Sequence, residues 1–161
     1  MNIDKAFKKP LYRVLELLNE CIDNCPDELW NKEFAGSIYW RRLYHSLASV
    51  WLLLGRQGKH GNNTELYSST AASLRSEYTN KAPHKDVIRQ VSTEAKKHVK
   101  LYFSEIDETI IDTEILFQGR VVTLAELLVT SIGHLAYHVG QCNATLMAHG
   151  AKSIHTTEFS K

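Results

Sequence analysis

The chain has 161 residues, of which 43% are apolar and 23% are charged. This size supports one buried core and is too short for two domains of usual size, so we expect a single domain over residues 1–161 with a flexible tail at 152–161. The 19 basic and 18 acidic residues nearly cancel and are scattered along the chain. Such a balance leaves no basic surface for a nucleic-acid backbone, which excludes nucleic acid as an expected partner.

The lack of a signal-peptide pattern and the odd number of cysteines both favour a cytoplasmic protein without a membrane partner. The first residues lack the apolar run of a signal peptide, and the longest apolar stretches are shorter than the about 20 residues that span a bilayer. Cys21, Cys25 and Cys142 are an odd number of cysteines in a chain without an export signal. We therefore expect reduced thiols rather than a disulfide framework.

Four long segments repeat apolar residues at intervals of three and four, which predicts an all-α fold. The predicted helices cover about residues 1–23, 37–56, 84–108 and 123–148. The second has apolar residues on most of its circumference and should be largely buried, whereas the third has lysines opposite its apolar stripe and should lie at the surface. A four-helix architecture is the expected result.

Capping residues set the expected boundaries of two of these helices. Ser37 is placed to open the second, with Gly55 and Gly58 after its end. Thr123 and Glu126 match the capping box, in which each side chain accepts a hydrogen bond from the other residue's backbone amide. The fourth helix should therefore begin beside Thr123.

Two connecting segments are less regular. Residues 57–82 are polar and rich in glycine and asparagine, and the segment is longer than connections usually are, with a short helix predicted at 69–78. Residues 117–122 place a turn between two apolar runs, which favours either a small hairpin or an irregular lead into the fourth helix. Long loops of the first kind are often functional.

The fourth predicted helix contains the most informative pair of residues. His134 and His138 are one turn apart, so their side chains project in similar directions and can chelate one ion. They share the arc of the helix that should face the core. Buried imidazoles need hydrogen bonds or a metal, because an unsatisfied buried polar group costs roughly 1–3 kcal/mol. A metal would satisfy both rings.

A third ligand should come from another helix, and His45 is the best candidate because it lies at the margin of the buried face of the second helix. Three imidazoles leave coordination positions open for water or substrate. The alternative interpretation is that these are interior histidines satisfied by ordinary hydrogen bonds, since such pairs also occur by chance. We expect the remaining histidines to be mostly solvated: His60, His84, His98, His149 and His155.

Residues 131–141, Ser-Ile-Gly-His-Leu-Ala-Tyr-His-Val-Gly-Gln, contain the two histidines one turn apart, and residues 40–47, Trp-Arg-Arg-Leu-Tyr-His-Ser-Leu, contain the third. These two segments resemble the DinB-like family of putative metal-dependent hydrolases. In that family the last core helix supplies two histidines and the second helix supplies one. The resemblance covers most of the chain but not residues 57–82 or 153–161.

The resemblance implies an up-down-down-up four-helix bundle that binds a divalent ion, with zinc or nickel foremost, through His45, His134 and His138. It also implies a homodimer. Members of the family transfer low-molecular-weight thiols such as bacillithiol or mycothiol, or hydrolyse small substrates, and many have no assigned activity. Fold and metal therefore leave the reaction open.

The first functional hypothesis is a metal-dependent hydrolase or thiol S-transferase. The ion would make a hydroxide or thiolate available near neutral pH for attack on a small electrophilic substrate. Cys142, one turn beyond His138, could be a fourth ligand or line the pocket, although a small buried apolar role is the more usual one for a free cysteine. Arg41 and Arg42 could hold an anionic substrate, although arginines are more often exposed. No catalytic base is identified.

The second hypothesis is a non-catalytic, dimeric binding protein in which the metal is structural or absent. The back of the fourth helix presents a strip of small residues that includes two mid-helix glycines, each of which costs about 1 kcal/mol relative to alanine. Close approach by another helix, from the same bundle or from a second subunit, would explain them. The strip consists of Ala125, Val129, Gly133, Ala136 and Gly140.

Overall fold

The structure, a computed structural model, describes residues 2–54 and 82–154. This part of the chain is mostly helical and contains two small antiparallel sheets. Its α-helices are α1 (Lys9–Asn24), α2 (Asp27–Trp30), α3 (Tyr39–Leu54), α4 (Lys85–Glu105) and α5 (Leu124–Ala148). Its strands are β1 (Glu33–Phe34), β2 (Ser37–Ile38), β3 (Glu114–Phe117) and β4 (Arg120–Thr123). The predicted helical fold is therefore confirmed for the described residues, which contain two short hairpins in addition.

The first predicted helix consists of a π-helical turn over Asp4–Lys8 followed directly by α1. Its apolar stripe is buried, as the spacing predicted. Cys25 takes an extended conformation and ends the helix. Pro26 follows it, and the residue before a proline is disfavoured in helical geometry.

The start of α3 differs from the prediction that Ser37 caps it. Ser37 lies in β2, which pairs with β1 in a hairpin of two residues per strand, and α3 begins at Tyr39. Ala35 and Gly36 form the turn with positive φ angles of 49° and 76°. The hairpin escaped prediction because strands of two residues have no detectable alternation.

The predicted boundary of α5 is confirmed. Thr123 Oγ1 accepts a hydrogen bond from the Glu126 amide at 3.2 Å, and Glu126 Oε2 accepts one from the Thr123 amide at 2.7 Å. Thr123 is also the last residue of β4, so the second hairpin leads directly into α5. Of the two alternatives for residues 117–122, the hairpin is therefore correct. Gln118 and Gly119 form its turn with φ angles of 50° and 78°.

The core lies among the four long helices. α3 packs against α4 and α5, and α1 packs against the same two helices, so each long helix buries its apolar face against at least two others. Many of the core's aliphatic side chains are wholly buried, among them Leu15, Leu18, Leu43, Leu47, Val99 and Leu135. No helix within residues 2–54 and 82–154 is long and apolar enough to cross a membrane.

The polar loop predicted at 57–82 falls almost entirely outside the described residues, as do the helix predicted at 69–78, Gly55 and Gly58. At the other end, Ile154 does not belong to a free tail. Its side chain is buried, and its amide donates to Asn143 Oδ1 at 2.8 Å. Packing onto α5 thus extends to the last described residue.

Candidate metal centre

The three predicted histidines lie together between α3 and α5. His134 and His138 have ring centroids 4.6 Å apart because they are one turn apart on α5. The His45 ring on α3 lies 5.3 Å from the first and 4.9 Å from the second. One nitrogen of each ring lies within 4.8 Å of the others, so these residues could hold a metal ion.

The spacing of these nitrogens suits a small cation. Nitrogens that bind one zinc ion at about 2.0–2.1 Å in a tetrahedral site lie about 3.4 Å apart. The three ring nitrogens lie within 4.8 Å of one another, which is somewhat farther apart than in a zinc site. Small rotations of the histidine side chains would bring them to the shorter spacing. Three protein ligands also leave at least one coordination position for another molecule.

The protonation of the cluster also favours metal binding. Burial lowers the pKa of His138 to about 4, and repulsion from Arg42 and from the protonated forms of His134 and His45 acts in the same direction, whereas a hydrogen bond to Gln141 opposes it. The pKa of His134 is also lowered, mainly by burial and to a smaller extent by repulsion from His45. Both imidazoles are therefore neutral at pH 7, and the neutral ring is the form that donates a lone pair to a metal.

His134 also has an unsatisfied ring nitrogen. Its Nε2 atom is buried and has no hydrogen-bond partner within the described part of the chain. A buried polar atom without a partner costs roughly 1–3 kcal/mol, and native proteins rarely leave one unexplained. A cation between the three rings would satisfy this nitrogen.

Gln141 is a neighbour of the cluster that the sequence analysis missed. Its Oε1 lies 2.8 Å from His138 Nδ1, and its Nε2 donates to the hydroxyl of Tyr137 at 2.9 Å. The available signal was the spacing of three residues between His138 and Gln141, which places them side by side on a helix. Spacing alone does not say which polar neighbours form hydrogen bonds.

Arg41 and Arg42 are buried, with exposed fractions of 0% and 1%, so neither has the surface position that is more usual for arginine. Their contact with an anionic substrate stays a prediction. Arg42 donates from Nη2 to the carbonyl of Phe34 at 2.6 Å and from Nη1 to Thr145 Oγ1 at 3.5 Å. It thus connects α3 to β1 and α5. The Arg41 guanidinium lies over the Trp40 ring at 5.1 Å.

Cys142 lies in the core on the side of α1. It is wholly buried, and its hydrogen bond with Cys21 is the main cause, ahead of burial, of the raised pKa of the Cys21 thiol. Tyr39 also donates to the carbonyl of Cys21 at 3.0 Å. Among described residues, the group of close ligand atoms contains the three histidines and not Cys142. The packing matches the usual role of a free cysteine.

The other described histidines lie outside the cluster. His84 caps α4 and is exposed, and His149 is exposed at the end of α5. His98 is half-buried and stacks on Trp51 with ring centroids 5.8 Å apart, which differs from the expected solvated position. His60 and His155 lie outside the described residues.

Comparison with protein-family models, curated proteins and solved structures finds no match to this chain. The three-histidine cluster is therefore the feature of this chain that indicates its function.

Proposed function

We propose that this chain is a divalent-metal-binding protein of the DinB-like type that uses His45, His134 and His138 as ligands. In the proposed fold, α1, α3, α4 and α5 form an up-down-down-up bundle, with α3 and α5 supplying the ligands. The observation that carries the proposal is the convergence of three ring nitrogens within 4.8 Å around the unpartnered Nε2 of His134. Zinc and nickel are the ions we expect, since imidazole suits both.

The proposed activity is hydrolysis of a small molecule or transfer of a low-molecular-weight thiol. A bound divalent ion supplies Lewis acidity, which lowers the pKa of a water or thiol beside it. His138 is buried, whereas His45 and His134 are partly exposed. A small substrate would therefore approach from the side of His45 and His134, while His138 fixes the inner boundary of the site.

The first test is metal content by elemental mass spectrometry on untagged protein. Wild type should contain close to one zinc or nickel ion per chain, or take one up on loading, and both His45→Ala and His134→Ala should lose it. His149→Ala is the matched control, because this histidine is also on or beside α5 but is exposed and outside the cluster. A wild-type protein that cannot be loaded with either metal would overturn the proposal.

The second test separates the two reactions. Metal-loaded protein is assayed for hydrolysis of activated esters and amides, and for conjugation of bacillithiol or mycothiol to a small electrophile. We expect one of these activities, and we expect it to be lost in His134→Ala. A protein that holds its metal and performs neither reaction would favour the non-catalytic alternative.

That alternative is a dimeric binding protein, and the outer face of α5 favours it. Val129 is 60% exposed, Met147 is 62% exposed, and Glu126 is the only Asp, Glu, Lys or Arg in the 25 residues of this helix. A Cβ atom added to Gly133 or Gly140 would meet nothing within 4 Å. Packing within the described chain therefore does not explain these glycines, and we propose a second copy of the chain as the partner of this face.

A further inference from the structure

The interaction between His138 and Gln141 connects the cluster to the surface. The two side chains lie on the same side of α5, with Gln141 Oε1 2.8 Å from Nδ1 of His138. The other end of the Gln141 amide donates to the hydroxyl of Tyr137, which is 62% exposed. The hydrogen bonds therefore run from a buried ring to a solvent-exposed phenol.

The orientation of this amide determines which nitrogen of His138 can bind a metal. A neutral imidazole has one N–H group and one lone pair. With Oε1 facing Nδ1, the hydrogen must be on Nδ1, because a carbonyl oxygen can only accept. The lone pair is then on Nε2. In the opposite tautomer, Nε2 would carry the hydrogen and could not bind an ion.

We propose that Gln141 is a positioning residue that holds His138 in the Nδ1–H tautomer and so keeps Nε2 available to a divalent cation. The inference rests on the proposed metal site but concerns a residue that does not itself bind the ion. Metal-binding histidines commonly donate their second ring N–H to a neighbouring acceptor, which fixes both the tautomer and the direction of the ring.

Tyr137 cannot set this preference by itself. Its hydroxyl both donates and accepts, so it can pair with either end of the Gln141 amide. Replacing Gln141 by glutamate removes the ambiguity, because an ionised carboxylate only accepts hydrogen bonds. Glutamate should therefore enforce the tautomer that glutamine selects, whereas leucine, which has similar size and no acceptor, should release it.

Zinc affinity tests the inference through three variants at pH 7.5, measured by competition with a chromophoric chelator. We expect Gln141→Leu to weaken zinc binding roughly 10–100-fold. Gln141→Glu should bind zinc at least as tightly as wild type. Tyr137→Phe is the control, because it keeps the acceptor at Nδ1, and it should change the affinity less than about threefold. Circular dichroism of each variant checks that it is folded.

A second measurement needs no metal. Long-range proton–nitrogen correlation spectra of the metal-free protein report which ring nitrogen of His138 carries the hydrogen. We expect the Nδ1–H tautomer in wild type and Gln141→Glu, and a mixture or the opposite tautomer in Gln141→Leu. Because metal-free protein is used, this result stands whether or not the proposed metal site exists.

The outcomes distinguish the inference from the proposal on which it rests. If wild type binds no zinc but shows the Nδ1–H tautomer only while Gln141 is present, the metal site fails and the positioning role remains. If Gln141→Leu has wild-type affinity and the wild-type tautomer, the positioning role is overturned and the metal site remains. Weaker binding in Gln141→Glu than in Gln141→Leu would also overturn it.

Discussion

At the scale of single residues, the burial of His138 links stability to pH. Its pKa lies near 4 in the folded protein and near 6.5 when exposed. Between these values the unfolded chain binds a proton that the native chain does not, so stability is present above pH 6.5 and falls as the pH drops towards 4. The shift from 6.5 to about 4 corresponds to about 3 kcal/mol.

Urea denaturation of the metal-free protein at pH 7.5, 5.5 and 4 measures this loss. We expect His138→Gln to lose less stability than wild type across that range, because the variant has no imidazole to protonate at this position. Carboxylates shared by both proteins contribute equally and cancel in the comparison. Parallel curves for the two proteins would show that His138 is not the titrating group.

Arg42 gives a second prediction at this scale. Its guanidinium donates to two acceptors that belong to different elements, the carbonyl of Phe34 and the hydroxyl of Thr145. A lysine ammonium has no such planar fork, so Arg42→Lys should lose one of these hydrogen bonds and lower the free energy of unfolding by roughly 0.5–1.5 kcal/mol. Arg120→Lys, at an exposed position of β4, is the control, and equal losses in both variants would contradict the prediction.

The sequence predicted the histidines better than their neighbours for a physical reason. Helical spacing fixes the relative directions of His134 and His138, and apolar periodicity places both towards the core. Hydrogen bonding depends on rotamers and tautomers, which no spacing rule determines, so Gln141 was missed. For Arg42 the sequence left a place at the pocket and a place at the surface both open, and only the packed structure reveals the acceptors that it meets inside.

At the scale of elements, the capping box of α5 should contribute measurably to stability. Thr123 accepts from the Glu126 amide, and its replacement by alanine leaves that amide without its partner. We expect Thr123→Ala to lower the free energy of unfolding by about 1 kcal/mol in urea denaturation. Thr130→Ala, at an exposed position inside the same helix, should be neutral or slightly stabilising. A Thr123→Ala protein as stable as Thr130→Ala would show that the cap is dispensable.

Elements were predictable where several local signals agreed. In α5, periodicity, the capping box and the preceding turn all indicated one boundary, and the structure has it within one residue. At α3 the predicted cap depends on a single serine, but Ser37 instead pairs with Phe34 in a two-residue strand. Ser is common in caps and in turns alike, so without a second signal its position cannot separate them.

At the scale of the whole molecule, composition and periodicity were sufficient to predict that the chain is mainly helical. Which helices pack against one another was harder to predict, because an apolar stripe indicates that one face of a helix is buried but does not indicate which neighbour covers it. The strip on α5 illustrates this limit. Ala125 packs against the core, whereas Val129, Gly133, Ala136 and Gly140 are exposed. Four of the five residues in the strip are therefore not covered by another element of the described chain.

Gly133 allows the proposed dimer to be tested without disturbing the fold. Because a Cβ atom at this position meets nothing within 4 Å, Gly133→Leu should fold and be at least as stable as wild type at high dilution. A second copy packed closely on this face would be displaced by the larger side chain. Light scattering coupled to size exclusion should therefore show a dimer for wild type and a monomer for the variant.

Thr93→Leu, at an exposed position of α4, is the matched control and should remain dimeric. If Gly133→Leu and Thr93→Leu were both dimeric, the interface between copies would not include the exposed face of α5. A monomeric wild type at all concentrations would mean that the exposed glycines serve no contact between copies. In that case Gly133→Ala should simply stabilise the chain by about 1 kcal/mol, because alanine loses less conformational entropy than glycine when a helix forms.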